Sequence, residues 1–146
     1  MGGAQTNRET DYENGLHELA GRLEMGDRVA FLGARDDVPE LLAQADIFCQ
    51  PNQSPEPFGI VFIEALQSGI PIVSSRLGGA AEIVDETCGV LVPAGEVGPL
   101  ASSLRQLILD FQKRQQLGEA GPARAQALCD PARQLGNLRE VLGSLV

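Results

Sequence analysis

Residues 50–69 read QPNQSPEPFGIVFIEALQSG, and the rest of the chain is arranged around this stretch. Its first half contains Pro51, Pro55 and Pro57, and a proline disfavours helical geometry in the residue before it. The segment Gly59–Gln67 has no helix breaker after its first residue, and the following Ser68-Gly69 is typical of a helix end. The sequence therefore predicts a loop that runs directly into a short helix.

Two carboxylates belong to this loop and helix. The helix is apolar on almost every side, which predicts that it is buried, and a buried carboxylate such as that of Glu64 needs a partner. Glu56 lies in the loop, and the unpaired N–H groups from Phe58 to Val61 would suit a phosphate. Glu64, an acceptor when ionised, suits vicinal hydroxyls such as those of a ribose. The alternative is that Glu64 pairs with an arginine and Glu56 is a solvated loop acid; this stretch alone favours neither.

The composition limits the classes of function. At 146 residues the chain has the length of one domain, and a formal net charge of −9 argues against a nucleic-acid surface and against charge-driven binding to anionic membranes. No apolar run approaches the ~20 residues of a membrane span, and the N-terminus does not have the pattern of a signal peptide. Cys49, Cys88 and Cys129 have no metal-ligand spacing. Neither a metal nor a cofactor is predicted.

Helical and strand patterns alternate along the chain. Helices are predicted over residues 8–25, 37–44, 59–67, 80–84, 97–108, 112–128 and 131–145, and strands over residues 28–32, 46–50, 71–74 and 89–92. Such alternation is typical of an α/β fold with a parallel sheet flanked by helices.

Three loops follow predicted strands, and ligands of parallel sheets bind beyond the carboxyl ends of the strands. These are the turn at Arg35, the loop Pro51–Phe58 and the pair Gly78-Gly79. A Gly-Gly pair lets the backbone approach a ligand closely, although helix–strand connections also use one for geometry. Arg35 is either a stacking partner for a base or a surface residue, and the residues alone favour the surface interpretation. The three loops are predicted to line one rim.

The run RVAFLGARDDVPELLAQADIFCQPNQSPEPFGIVFIEALQSGIPIVSSRLGGAAEIVDETCGVLVPAG resembles the C-terminal, nucleotide-sugar-binding domain of the group 1 (family 4) glycosyltransferases of GT-B architecture. The most specific part is Glu56 and Glu64 with seven residues between them, followed by Ser68-Gly69. The resemblance covers about Gly2 to Asp110. It implies a Rossmann-like sheet and a transferase.

The resemblance also implies the chemistry and the residues that perform it. The reaction would transfer a sugar from a UDP-, GDP- or ADP-sugar to a sugar, lipid or polysaccharide acceptor, without a metal and with retention at the anomeric carbon. Glu56 would be catalytic, placed at the donor sugar to stabilise developing positive charge. The donor-binding residues would be the backbone of Phe58, Gly59 and Ile60 for sugar hydroxyls and diphosphate, Glu64 for the ribose, Arg35 for the base, and Gly78 and Gly79 beside the substrate.

Two parts of the family's domain organisation have no counterpart here. Family members have an N-terminal acceptor domain, and their C-terminal domain begins with a strand, a helix and a second strand that carry an Arg and a Lys for the diphosphate. Met1–Gly3 resembles the very end of that second strand. Residues 1–110 are thus expected to form an incomplete nucleotide-sugar-binding domain, with residues 111–146 as C-terminal helices of the same domain.

In the family's strand order the two absent strands lie between the predicted strands at 28–32 and 46–50. The strands from Asp46 to Val92 would remain contiguous, whereas residues 28–32 would lose their neighbour. We therefore expect an exposed sheet edge, a rearranged pairing, or a partner chain that supplies the missing domain or strands.

The leading hypothesis is the donor half of a glycosyltransferase that is inactive without its acceptor domain. The main alternative is a non-catalytic nucleotide-sugar-binding module; a nucleotide-sugar epimerase and a purely structural fragment remain further alternatives. A cytoplasmic location is expected, either free or peripheral at the inner face of the membrane.

Overall fold

The structure is a computed structural model that describes residues 7–144, with side chains from residue 10 onward. The chain divides into two compact units, Met1–Val38 and Pro39–Val146. The start at Met1–Gly3, interpreted above as the end of a strand, lies outside the described residues.

The first unit contains helix α1 (Asn7–Arg22) and a single 3-10 turn, Gly26–Arg28. In α1 the apolar residues Tyr12, Leu16 and Leu19, which lie at helical spacing, are exposed. The predicted strand at residues 28–32 is wrong: Val29 is extended, but the segment pairs with no strand among the described residues. A strand is held by hydrogen bonds to its neighbour, so an extended segment without that neighbour remains irregular.

The second unit is built on a three-stranded parallel sheet. Its strands are β1 (Phe48–Gln50), β2 (Ile72–Ser75) and β3 (Gly89–Val92), in the order β1-β2-β3. The contiguous set predicted between residues 46 and 92 is therefore confirmed. β1 is an edge, since its outer side pairs with no described residue.

Helices precede, connect and follow the strands. They are α2 (Val38–Gln44), α3 (Ile60–Gln67), α4 (Gly78–Ile83), α5 (Val97–Leu109), α6 (Phe111–Cys129) and α7 (Pro131–Gly143). Val73 of β2, Leu107 of α5 and Leu117 of α6 form a buried cluster. Asp110 caps α6, and Asp130 caps α7 by accepting from the Ala132 N–H. None of the described helices is long and apolar enough to cross a membrane.

The structure corrects the predicted burial of α3. Phe62, Ala65 and Leu66 are fully buried, but the opposite face carries an exposed Ile60 and an exposed Glu64. The helix is only eight residues long and packs its buried face on the sheet and on α6. Its other face has no covering element among the described residues of this unit, so the Glu64 carboxylate does not need a buried partner.

Helix α6 fixes the position of α3 by direct backbone contact. A Cβ placed on Gly121 would lie 2.6 Å from the Leu66 carbonyl oxygen, and one placed on Gly118 would overlap the carbonyl of Gly69. Both glycines of α6 are buried. The end of α3 therefore rests on α6 at a separation that only glycine permits.

Candidate functional site

The first turn of α3 begins at Gly59 and has no side-chain cap. This residue is the N-cap, has φ 69°, and provides no side-chain hydrogen bond to the turn. The Gly59 carbonyl oxygen accepts from the Phe62 N–H at 3.0 Å. Because glycine has no side chain, the N–H groups of Ile60 and Val61 have no side-chain cap. Uncapped N–H groups at the positive end of a helix dipole suit an anion.

The Gly78-Gly79 pair packs against the same loop. The Gly79 N–H donates to the Glu56 carbonyl oxygen at 2.8 Å. Gly78 has φ 50°, and a Cβ there would lie 2.6 Å from the Glu56 carbonyl oxygen and 2.7 Å from its nitrogen. The Pro51–Gly59 loop and the Gly-Gly turn are thus in contact, as their positions after parallel strands predict. The Glu56 backbone is the neighbour that leaves no room for a side chain at Gly78. Close approach of Gly78 and Gly79 to a ligand stays a prediction.

The side chains of the loop and of the exposed face of α3 differ in exposure. Glu56 is half-buried, Glu64 is exposed, and Phe58 and Ile60 are 80% and 67% accessible. Along the chain, a half-buried carboxylate in the loop thus precedes the uncapped backbone donors, and an exposed one follows them on the second helical turn. Together these groups present the donors that bind phosphate oxygens and the acceptors that bind hydroxyls.

Arg35 belongs to the first unit, where it pairs with a neighbouring carboxylate. Its Nε donates to Asp37 Oδ1 at 2.7 Å, and its Nη2 bonds the other carboxylate oxygen. This hydrogen bond lowers the pKa of Asp37 and raises that of Arg35. Pairing through the edge of the guanidinium leaves its faces open for stacking. The place of Arg35 at the rim stays a prediction.

Sequence reasoning missed a cavity at the carboxyl ends of the strands. Its volume is about 120 Å³, and its lining includes Pro51 after β1, Ser75 of β2, Val92 of β3, and Glu96 and Val97 at the start of α5. The strand ends were predicted to face a site, but no motif in the sequence indicates that α5 closes it.

Arg124 was also missed. It donates from Nε to the Ile83 carbonyl oxygen and from Nη2 to the Glu82 carbonyl oxygen, both at 2.9 Å. Its Nε also lies 3.3 Å from the Asp85 carboxylate. Arg124 and these partners are about forty residues apart in the sequence, so no local pattern predicts the contacts.

Comparison with known proteins identifies the family. Residues 2–124 match the family described as glycosyl transferases group 1. The chain belongs to this family. The solved structure of the Anabaena protein HepE in complex with UDP superimposes with a TM-score of 0.85 at 36% identity, over 95% of this chain and 38% of HepE.

Curated group 1 glycosyl transferase relatives match a similar portion. An N-acetyl-alpha-D-glucosaminyl L-malate synthase of Bacillus anthracis is 35% identical over 103 residues, 70% of this chain and 27% of the relative. A GDP-mannose-dependent phosphatidylinositol monomannoside mannosyltransferase of Corynebacterium glutamicum is 35% identical over 124 residues, 80% of this chain and 32% of the relative. The chain thus spans about a third of the length of these relatives. The similarity to HepE establishes its Rossmann-like fold within a GT-B family.

Proposed function

We propose that this chain is the donor-binding part of a glycosyltransferase and holds a nucleoside diphosphate sugar at the start of α3. The observation that carries the proposal is the uncapped first turn that begins at Gly59, with Glu56 before it and Glu64 after it in the chain. HepE was solved with UDP and with UDP-glucose, and the Corynebacterium relative is named as GDP-mannose-dependent. Both donors contain a diphosphate, a ribose and a sugar.

Each part of such a donor has a chemically matched group in the proposed site. The N–H groups of Ile60 and Val61 bind the diphosphate, where the helix dipole stabilises negative charge. The Glu64 carboxylate accepts from the two ribose hydroxyls. A guanidinium face such as that of Arg35 is chemically suited to stack on a base.

Glu56 is proposed to act at the sugar itself. Its half-buried carboxylate accepts from sugar hydroxyls and stabilises the positive charge that develops at the anomeric carbon as the diphosphate leaves. Gly78 and Gly79 hold the Glu56 backbone in place and, with Phe58, border the sugar. This arrangement supports transfer without a metal, because the helix terminus supplies the charge stabilisation for the leaving diphosphate.

Transfer to an acceptor is proposed for the whole enzyme and not for this portion alone. The shared segment makes up only 27% and 32% of the two relatives. We propose that the acceptor (a sugar, a lipid or a polysaccharide) binds mainly to the remaining part, and that the product keeps the anomeric configuration of the donor. The exposed outer edge of β1 is where a partner chain or domain would add strands.

The test separates the nucleotide from the sugar. The chain is titrated calorimetrically with UDP, UDP-glucose, GDP and GDP-mannose in buffer that contains EDTA, as wild type, Glu64→Gln, Glu56→Gln and, as a charge-matched control on α7, Glu140→Gln. Loss of hydrogen bonds to a charged acceptor costs about 1.5–3 kcal/mol, so Glu64→Gln should weaken the preferred nucleotide by about 10- to 100-fold.

Glu56→Gln should weaken only the sugar nucleotide and leave the free nucleotide unchanged. Binding of a nucleotide that Glu64→Gln does not weaken would remove the assigned role of Glu64. A chain that binds sugar nucleotides, and supports no transfer when the rest of the enzyme is supplied, would be a non-catalytic binding module.

A further inference from the structure

Arg124 joins α6 to the far end of α4. Helix α4 has only six residues, and its last carbonyl groups have no partners within the helix. Two nitrogens of the Arg124 guanidinium donate to two consecutive carbonyl oxygens, those of Glu82 and Ile83, each at 2.9 Å. The pair of bonds fixes both the distance and the direction of α4 relative to α6.

Asp85 holds the guanidinium in this position. Its carboxylate lies 3.3 Å from Arg124 Nε and accepts from the Thr87 N–H at 3.0 Å as well as from the Thr87 hydroxyl. The side chains of Arg124 and Asp85 are 29% and 33% accessible, so the pair is partly shielded from water. Arg124 is therefore fixed from two sides.

Both ends of α4 contact the Pro51–Gly59 loop. At its start, the Gly79 N–H donates to the Glu56 carbonyl oxygen. At its end, the side chain of Ile83 packs on Gly59, where a Cβ would meet Ile83 Cδ1 at 2.7 Å. Ile83 is also the residue whose carbonyl Arg124 holds, so a single residue connects Arg124 to the N-cap of α3.

We propose that Arg124 is a positioning residue for the donor site. Through α4 it sets the place of the Glu56 backbone and of Gly59, and hence the direction of the uncapped N–H groups of α3. The expected effect of Arg124 on nucleotide binding rests on the proposed function. Its effect on the position of the Pro51–Gly59 loop rests on the contacts of α4 alone. Because α4 spans only about 9 Å, displacement at its end reaches its start with little loss.

Arg114 provides a matched control on the same helix. Its Nη1 donates to the carbonyl oxygens of Leu107 and Ile108 at 2.7 and 3.2 Å, and its Nη2 lies 3.4 Å from Asp46. Arg114 therefore holds the end of α5 in the way that Arg124 holds the end of α4. Loss of either arginine removes the same kind of contact, but only Arg124 bonds α4, the helix that contacts Glu56 and Gly59.

The experiment compares wild type, Arg124→Ala, Arg124→Lys and Arg114→Ala by amide hydrogen exchange resolved by residue, by urea unfolding, and by calorimetric titration with UDP and with GDP. Coupling through packed elements changes local equilibria by about 2- to 30-fold. In Arg124→Ala the Gly79 amide should exchange faster, and the preferred nucleotide should bind more weakly, by factors in that range after correction for global stability.

Arg124→Lys should recover part of both effects, because an ammonium group reaches one carbonyl but does not span two. Arg114→Ala should lower the urea midpoint without changing Gly79 exchange or nucleotide affinity beyond that correction.

The outcomes separate the two proposals. Equal Gly79 exchange in Arg124→Ala and Arg114→Ala overturns the inference whether or not nucleotide binds. Unchanged nucleotide affinity in Arg124→Ala, with wild type binding, also overturns it. Wild type that binds neither UDP nor GDP overturns the proposed function for UDP- and GDP-sugars. Faster Gly79 exchange in Arg124→Ala would then support only the structural connection between Arg124 and the Pro51–Gly59 loop.

Discussion

Replacement of Gly78 by alanine tests the contact between the Gly-Gly turn and Glu56. The substitution imposes two penalties. An L-residue at φ 50° costs about 1–2 kcal/mol, and a Cβ at 2.6 Å from the Glu56 carbonyl oxygen adds an overpacking cost of about 1–3 kcal/mol. The total loss of unfolding free energy should be about 2–5 kcal/mol.

Gly95→Ala is the matched control. Gly95 has φ 77°, but a Cβ there meets nothing within 4 Å. Gly95→Ala therefore has the energetic cost of a positive φ but no overlap of the new Cβ with another atom. The entropy that alanine removes from the unfolded chain is the same in both variants. The difference between the two variants isolates the contact with Glu56.

Urea unfolding measures that difference. With an m value of about 2 kcal/mol/M, Gly78→Ala should have a midpoint about 0.5–1.5 M below that of Gly95→Ala. If the two variants unfold at the same urea midpoint, the Gly-Gly turn is not in close contact with the Glu56 backbone, and the arrangement of the site described above is wrong.

Two further variants test the packing and the charge network of the second unit. Gly121→Ala places a Cβ 2.6 Å from the Leu66 carbonyl oxygen and should lower the unfolding free energy by about 1–3 kcal/mol, whereas Gly136→Ala in the open part of α7 should raise it by up to about 1 kcal/mol; urea midpoints compare them. The hydrogen bond from Thr87 lowers the pKa of Asp85, so the stability it provides is present above the unfolded value near pH 4 and is lost as the pH falls through the lowered folded value. The stability advantage of wild type over Asp85→Asn should therefore shrink between pH 6 and pH 3, and a constant difference would contradict this role.

The predictable features of the fold are those that repeat locally. Proline and glycine residues predicted the Pro51–Gly59 loop and the start of α3 correctly, and the alternation of apolar segments predicted the α/β class with a parallel sheet. These features follow from backbone geometry and from apolar periodicity, which depend on neighbouring residues alone. That the three strands from residue 46 to residue 92 are contiguous followed from the family resemblance.

The features that failed depend on what lies beside a segment. Residues 28–32 have the composition of a strand but no neighbouring strand in the described chain, and α3 has the composition of a buried helix but is covered on one face only. Arg124 reads as an ordinary charged residue of a helix, because its partners lie about forty positions away. Composition indicates what a segment is able to form, and its neighbours decide whether it does so.

The most direct measurement of the central claim is a nuclear magnetic resonance titration of the chain with UDP and with GDP. The account predicts that one of the two nucleotides shifts the amide resonances of Ile60 and Val61, at the uncapped turn, while amides of α7 such as that of Glu140 stay in place. In Glu64→Gln the same shifts should require a higher nucleotide concentration. Saturable shifts that leave Ile60 and Val61 unchanged would place the nucleotide elsewhere, and no saturable shift with either nucleotide would contradict the claim that this chain holds a UDP- or GDP-sugar.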